Sequence, residues 1–92
     1  MKTVVLIYPT QERAEVKFRE MLNFLGDEIN RSSYMLIELG KTQYKFIHVG
    51  MIEKLTGIRI NRLFIEQSHA LTDEQLAFLR SRCERTKTRS SQ

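Results

Sequence analysis

Hydrophobic residues change their rhythm several times along this chain, and each change marks an element. Thr3 to Tyr8 (TVVLIY) is an unbroken apolar run rich in β-branched residues, stopped by Pro9. Such a run is expected of a strand covered on both faces, so a central place in a sheet follows. After Thr10, an N-cap residue, Ala14, Phe18, Met21, Leu22 and Leu25 recur at helical spacing. They predict a helix that Gly26 ends. Its solvent side carries Glu12, Arg13, Glu15, Lys17, Arg19 and Glu20, with Glu15 and Arg19 set as an i,i+4 pair.

Asp27 to Ser33 is polar enough to read as a loop. Tyr34 to Leu39 and Tyr44 to Val49 alternate like strands, and Gly40-Lys41-Thr42-Gln43 between them has the length and the glycine of a hairpin connection. The strand positions of Tyr34, Tyr44 and Phe46 predict burial. Met51 to Thr56 suits one or two helical turns before Gly57, and Ile60 to Ile65 predicts another buried strand. Thr72 with Gln75 three residues later makes a capping box, and Leu71 and Leu76 stand where a hydrophobic staple needs them. That predicts a last helix with Leu76, Leu79 and Cys83 on its buried side. The fold class expected is therefore α/β, a β-α-β-β-(short α)-β-α sheet with helices packed on it.

Composition limits what such a fold can do. Ninety-two residues make one domain with a single modest core, 41% hydrophobic and 28% charged. We place the domain at residues 1–85 and a basic flexible tail at 86–92. No apolar run approaches the roughly 18 residues that cross a bilayer, and the start, soon broken by Pro9, is too short for a secretory signal. A cytoplasmic chain without a membrane partner is expected, and the lone Cys83 agrees with a reducing compartment. Arg80, Arg82, Arg85, Lys87 and Arg89 against Glu84 account for the whole net charge of +4, leaving residues 1–79 neutral. The basic character belongs to the C-terminal end, where it suits contact with phosphates or plain solvation.

Candidate chemistry is sparse. Gly40-Lys41-Thr42 matches the end of a phosphate-binding loop, but Met35 occupies the position of that loop's first glycine, and the residues after Thr42 alternate like a strand instead of opening a helix. A hairpin turn explains the tripeptide better. Glu38, His48, Glu66 and His69 are the candidates for a carboxylate–imidazole metal cluster, provided the fold brings them together. Cys83 has no nucleophile motif around it. Arg59 and Arg62 would extend a basic surface begun by Arg80, Arg82, Arg85, Lys87 and Arg89, although no nucleic-acid-binding signature appears.

The segment GIRINRLFIEQSHALTDEQLAFL, residues 57–79, resembles the Walker B or DExH region of the RecA-like ATPase core of helicases and phage terminase large subunits. The stretch VVLIYPTQERAEVKFREMLNFL is similar to the strand and helix following that family's motif Ia, with Pro9-Thr10 matching the P-T that faces the nucleic acid backbone, and the likeness spans residues 3–80. It implies a truncated RecA-like core without its Walker A strand and loop. Glu66 falls where the family's acid holds Mg²⁺, Gln67 where a second acid polarises water, and His69 on the H of DExH. A neutral amide cannot accept the water's proton, so the resemblance itself implies that hydrolysis is missing. The expected function is that of a noncatalytic accessory protein, of phage or mobile-element type, which needs no cofactor and binds a protein such as an ATPase or helicase. Self-association through a sheet edge is a further expectation. Two rivals stand beside this reading: a nucleic-acid-binding module using the basic end, and a metal-dependent nuclease.

Overall fold

The computed structural model describes residues 2–83. Five strands form one sheet: β1 (Lys2–Tyr8), β2 (Arg31–Ser33), β3 (Leu36–Leu39), β4 (Thr42–His48) and β5 (Arg62–Ile65). They lie in the order β2-β3-β4-β1-β5, with β1 parallel to both β4 and β5 and with β2, β3 and β4 joined antiparallel. The apolar run of β1 is thus the inner strand that its sequence predicts, and it is paired parallel on both sides.

Helix α1 (Gln11–Leu25) starts at Thr10, whose hydroxyl accepts the Arg13 amide, and ends at Gly26, whose φ of 52° suits a residue without Cβ. It packs on β4 and β1, burying Ala14 and Phe18 against Tyr8, Ile37 and Phe46. The opposite face holds a second cluster, in which Val5 and Ile7 of β1 meet Ile52 and Leu55, Ile60, and Leu71 and Leu79. Ile52 and Leu55 belong to a 3-10 segment (Val49–Leu55), Ile60 comes just before β5, and Leu71 and Leu79 belong to helix α2 (Asp73–Arg82) and the turn that leads into it. Side-chain alternation along β1 therefore feeds two cores, one above and one below the sheet. The capping box at α2 is present, with Thr72 and Gln75 bonded reciprocally.

Several boundaries differ from the sequence pattern. Residues 31–33, expected in a loop, form the edge strand β2, and Tyr34-Met35 is a tight turn into β3 where a continuous strand is expected. A polar RSS triplet carries no apolar alternation, so only its hydrogen bonds to β3 reveal it as a strand. Tyr34 is consequently 66% exposed, not buried, whereas Phe46 is buried as expected. Gly40-Lys41 closes the β3–β4 hairpin with Gly40 at φ 63°, so the first two residues of the tripeptide are a turn and Thr42 opens β4.

Candidate functional site

Parallel strands β4, β1 and β5 all end on one side of the sheet, bringing His48, Tyr8 and Glu66 to a common edge. Tyr8 stands beside His48 in the β1–β4 register, and the Glu66 amide donates to the Ile7 carbonyl. From β1 the chain turns to α1 on one face, while from β4 it turns to the 3-10 segment on the other. Chain departures in opposite directions from neighbouring strands open a crevice at their carboxyl ends, which is where open α/β sheets bind ligands.

On the other side of β1, at the same carboxyl edge, Glu66 is already engaged. The Arg13 guanidinium donates to it through Nε, at 3.0 and 3.1 Å to the two carboxylate oxygens, and through Nη2 at 2.8 Å. This fork holds the Glu66 carboxyl below its ordinary pKa and raises that of Arg13. Gln67 and His69 follow β5 as exposed residues, His69 in a short 3-10 turn. Beneath Glu66, burial, reinforced by the neighbouring carboxylate, pushes the Tyr8 hydroxyl up to about 12. His48 caps the 3-10 segment, its Nδ1 accepting the Gly50 amide at 3.2 Å. A Cβ at Gly50 would stand 2.9 Å from the His48 ring, so this glycine gives the ring its place.

The carboxylate–imidazole set does not converge. Glu38 pairs with Gln43, five residues before His48 and about 16 Å from it along the strand. Among the described residues no group of three or more His, Cys, Asp or Glu side chains is arranged to hold a metal ion.

A cleft of 330 Å³ opens beside the end of β4. Met35, Leu36, Phe46, Ile47 and Met51 supply apolar walls, while Gln11, Lys45 and His48 bring polar atoms. Tyr34 stands at its rim, its hydroxyl bonded to the Glu15 carboxylate, and Gln11 also donates to Glu15. These bonds hold Glu15 below its ordinary pKa, the nearby Arg19 adding less. At the lip, Met35 has φ 64°, and among the described residues it is the one non-glycine at positive φ. A side chain in that conformation costs about 1–2 kcal/mol, and such strain gathers at functional places.

The arginines of the C-terminal region divide. Arg80 is exposed, whereas the Arg82 guanidinium lies 5.2 Å from the Phe78 ring centre and its Nε is buried without a hydrogen-bond partner. Arg59, Ser81 and Arg82 share a polar cleft of 370 Å³ near the end of α2. The helix carbonyls ending there favour these cations and oppose an added anion. Arg62 lies apart, exposed on β5. Arg85, Lys87 and Arg89, with the tail expected at 86–92, lie outside the described residues. Burial raises the Cys83 thiol, which makes it a poorer nucleophile at neutral pH.

Two features escape the sequence reading. Arg13 reads as a solvent-face residue, although a cation in the first turn after a strand is well placed to meet an acid ending the neighbouring parallel strand. The cleft has no linear signature, because its walls come from segments far apart in the chain. Compared with known proteins, the chain matches no family model, no curated protein and no solved structure.

Proposed function

We propose that this is a noncatalytic α/β binding module that docks a protein by taking one of its apolar side chains into the cleft at the end of β4. The observation that carries this reading is the cleft itself, 330 Å³, apolar-walled and ringed by Gln11, Lys45 and His48. Ligand and anchor pockets have this make-up and favour this part of an α/β sheet. Tyr34, exposed at the rim, belongs to a residue type enriched where proteins meet. The engagement of Glu66 by Arg13, and an amide at Gln67, support the noncatalytic part of the reading. A phage or mobile-element accessory role in the cytoplasm, with an ATPase or helicase as the partner, rests on the RecA-like resemblance of residues 3–80.

A photo-crosslinking residue at Tyr34, used in extract of the native host, tests the proposal. One defined protein adduct is expected, lost on Met51→Glu while the circular dichroism of the chain stays the same. Adducts that ignore Met51→Glu, or none at all, would reject the cleft as the docking site. Nucleic-acid binding is the second reading: Arg59 and Arg82 converge on one cleft, and their charge has to outweigh the α2 carbonyls there, which oppose a phosphate. It requires an affinity that falls steeply with salt and that Arg59→Ala reduces. An adduct to nucleic acid in the crosslinking experiment would favour it over the first.

A further inference from the structure

Charge at the β4 cleft is one-sided. Among the described residues no Asp or Glu lines it, whereas Lys45 brings an ammonium and His48 an imidazole. Lys45 is half-buried on the same sheet face as Ile47, directly across from Leu36 in the β3–β4 register. A lysine in that place lays its stem along the apolar wall and keeps its charged head in water. No carboxylate neutralises it: the ion pairs among the described residues are Arg13 with Glu66 and Lys17 with Glu20. Glu38, on the neighbouring strand, faces Arg31 in the β2–β3 register, and Glu15 takes the Tyr34 and Gln11 hydrogen bonds at the rim without lining the cleft. His48 adds a neutral donor. Its Nδ1 accepts the Gly50 amide, so the uncharged ring carries its proton on Nε2, and that proton meets no acceptor among the described residues.

We infer, on the footing of the docking role proposed above, that the protein received here carries an acidic side chain, Asp or Glu, next to the apolar one that the cleft takes in, and that Lys45 meets its carboxylate. Apolar walls with a cation on one side suit an anion joined to an apolar group, and the positive charge steers such a segment in while repelling a basic one. Lys45 and His48 stand three residues apart on β4, about 10 Å along the strand and on opposite faces. They therefore reach different atoms of the partner. Lys45 answers the carboxylate in a charge-assisted hydrogen bond, and His48 Nε2 donates to a backbone carbonyl beside the anchor. A nucleic acid would bring the negative charge without the apolar side chain that Met35, Leu36, Ile47 and Met51 are placed to cover.

Titrating the ¹⁵N-labelled full chain with three blocked peptides, acetyl-Glu-Leu-Glu-amide, acetyl-Gln-Leu-Gln-amide and acetyl-Lys-Leu-Lys-amide, each up to about 10 mM, tests the assignment, with the amides of Met35, Ile47 and Met51 reporting on the cleft. At low salt the acidic peptide is expected to bind about fivefold tighter than the neutral one and the basic peptide to bind weakest, with the differences shrinking as salt is added. Lys45→Glu should invert that order, an outcome that damage to the fold would not give. Equal affinities for the acidic and neutral peptides, or an order that Lys45→Glu leaves as it was, would overturn the acidic partner while leaving the docking site in place. A short single-stranded oligonucleotide that moves the same amides at lower concentration than the acidic peptide would assign the cleft to nucleic acid and overturn it too. If none of the three peptides moves those amides, the docking role itself fails and the acidic partner fails with it.

Discussion

Removing the Phe46 ring tests whether the α1 face is packed as described. The ring is 1% exposed, T-shaped against Phe18 at 5.5 Å between centres and stacked on Tyr8 at 6.3 Å. Truncating a buried Phe to Ala costs about 3–5 kcal/mol. Two aromatic contacts, each contributing about 0.5–1.5 kcal/mol beyond area, place Phe46→Ala in the upper part of that range. A domain of this length has about 5–14 kcal/mol of total stability. The variant therefore keeps at most a modest fraction in the weaker half of that span, and its melting temperature should fall by at least about 12 °C. Urea unfolding followed by circular dichroism would measure the loss as a lower midpoint at an unchanged slope. Phe24→Ala is the control, because Phe24 is 85% exposed and surface truncations stay within about 0.5 kcal/mol. If Phe46→Ala fell within about 1 kcal/mol of Phe24→Ala, the ring would not be buried and the core on the α1 face would be wrong.

Other consequences are narrower. Thr72→Ala removes the α2 cap and should cost about 0.5–2 kcal/mol in urea unfolding, with Thr72→Ser close to wild type. Tyr8, raised to about 12 chiefly by burial and then by Glu66, holds its proton in the native chain where an unfolded tyrosine near 10 has lost it. Its contribution is complete below about pH 10 and declines as the pH rises to about 12, so Tyr8→Phe should flatten the alkaline fall in melting temperature. Glu66 has the opposite sign: its lowered pKa gives stability above the ordinary carboxylate range that is lost as the pH falls through the native value. Arg13→Ala should move the Glu66 carboxyl up toward the usual range in a ¹³C NMR titration; an unmoved value would deny the ion pair.

The elements with strong periodic or capping signals were legible in the sequence. The run before Pro9, the stripe from Ala14 to Leu25 and the Thr72–Gln75 box each state a local rule that tertiary structure then keeps. Gly40 announced its hairpin because a tight turn needs positive φ there. Illegible were features that exist only between segments. Arg31-Ser32-Ser33 becomes a strand because β3 offers it hydrogen bonds, and Tyr34 is exposed because a turn interrupts what looks like a continuous strand. Glu66 could be placed at a strand end from its position after Phe64 and Ile65, yet its occupation by Arg13 depends on β5 lying beside β1. The parallel neighbours of β1 decide which residues share the carboxyl edge, and no local pattern states strand order. For the same reason Glu38, on β3 beside Gln43, and His48, at the end of β4, land at opposite ends of the β3–β4 pair.

The noncatalytic reading turns on whether the end of β5 is a structural ion pair or a metal-holding acid. Adding Mn²⁺ to ¹⁵N-labelled protein and following paramagnetic broadening of each amide asks this directly, since broadening falls steeply with distance from the ion. The account predicts that Tyr8, Glu66 and Gln67 keep their intensity, apart from the weak, uniform loss caused by free Mn²⁺. Selective, saturable loss of the Glu66 and Gln67 signals, reversed by Mg²⁺, would contradict it.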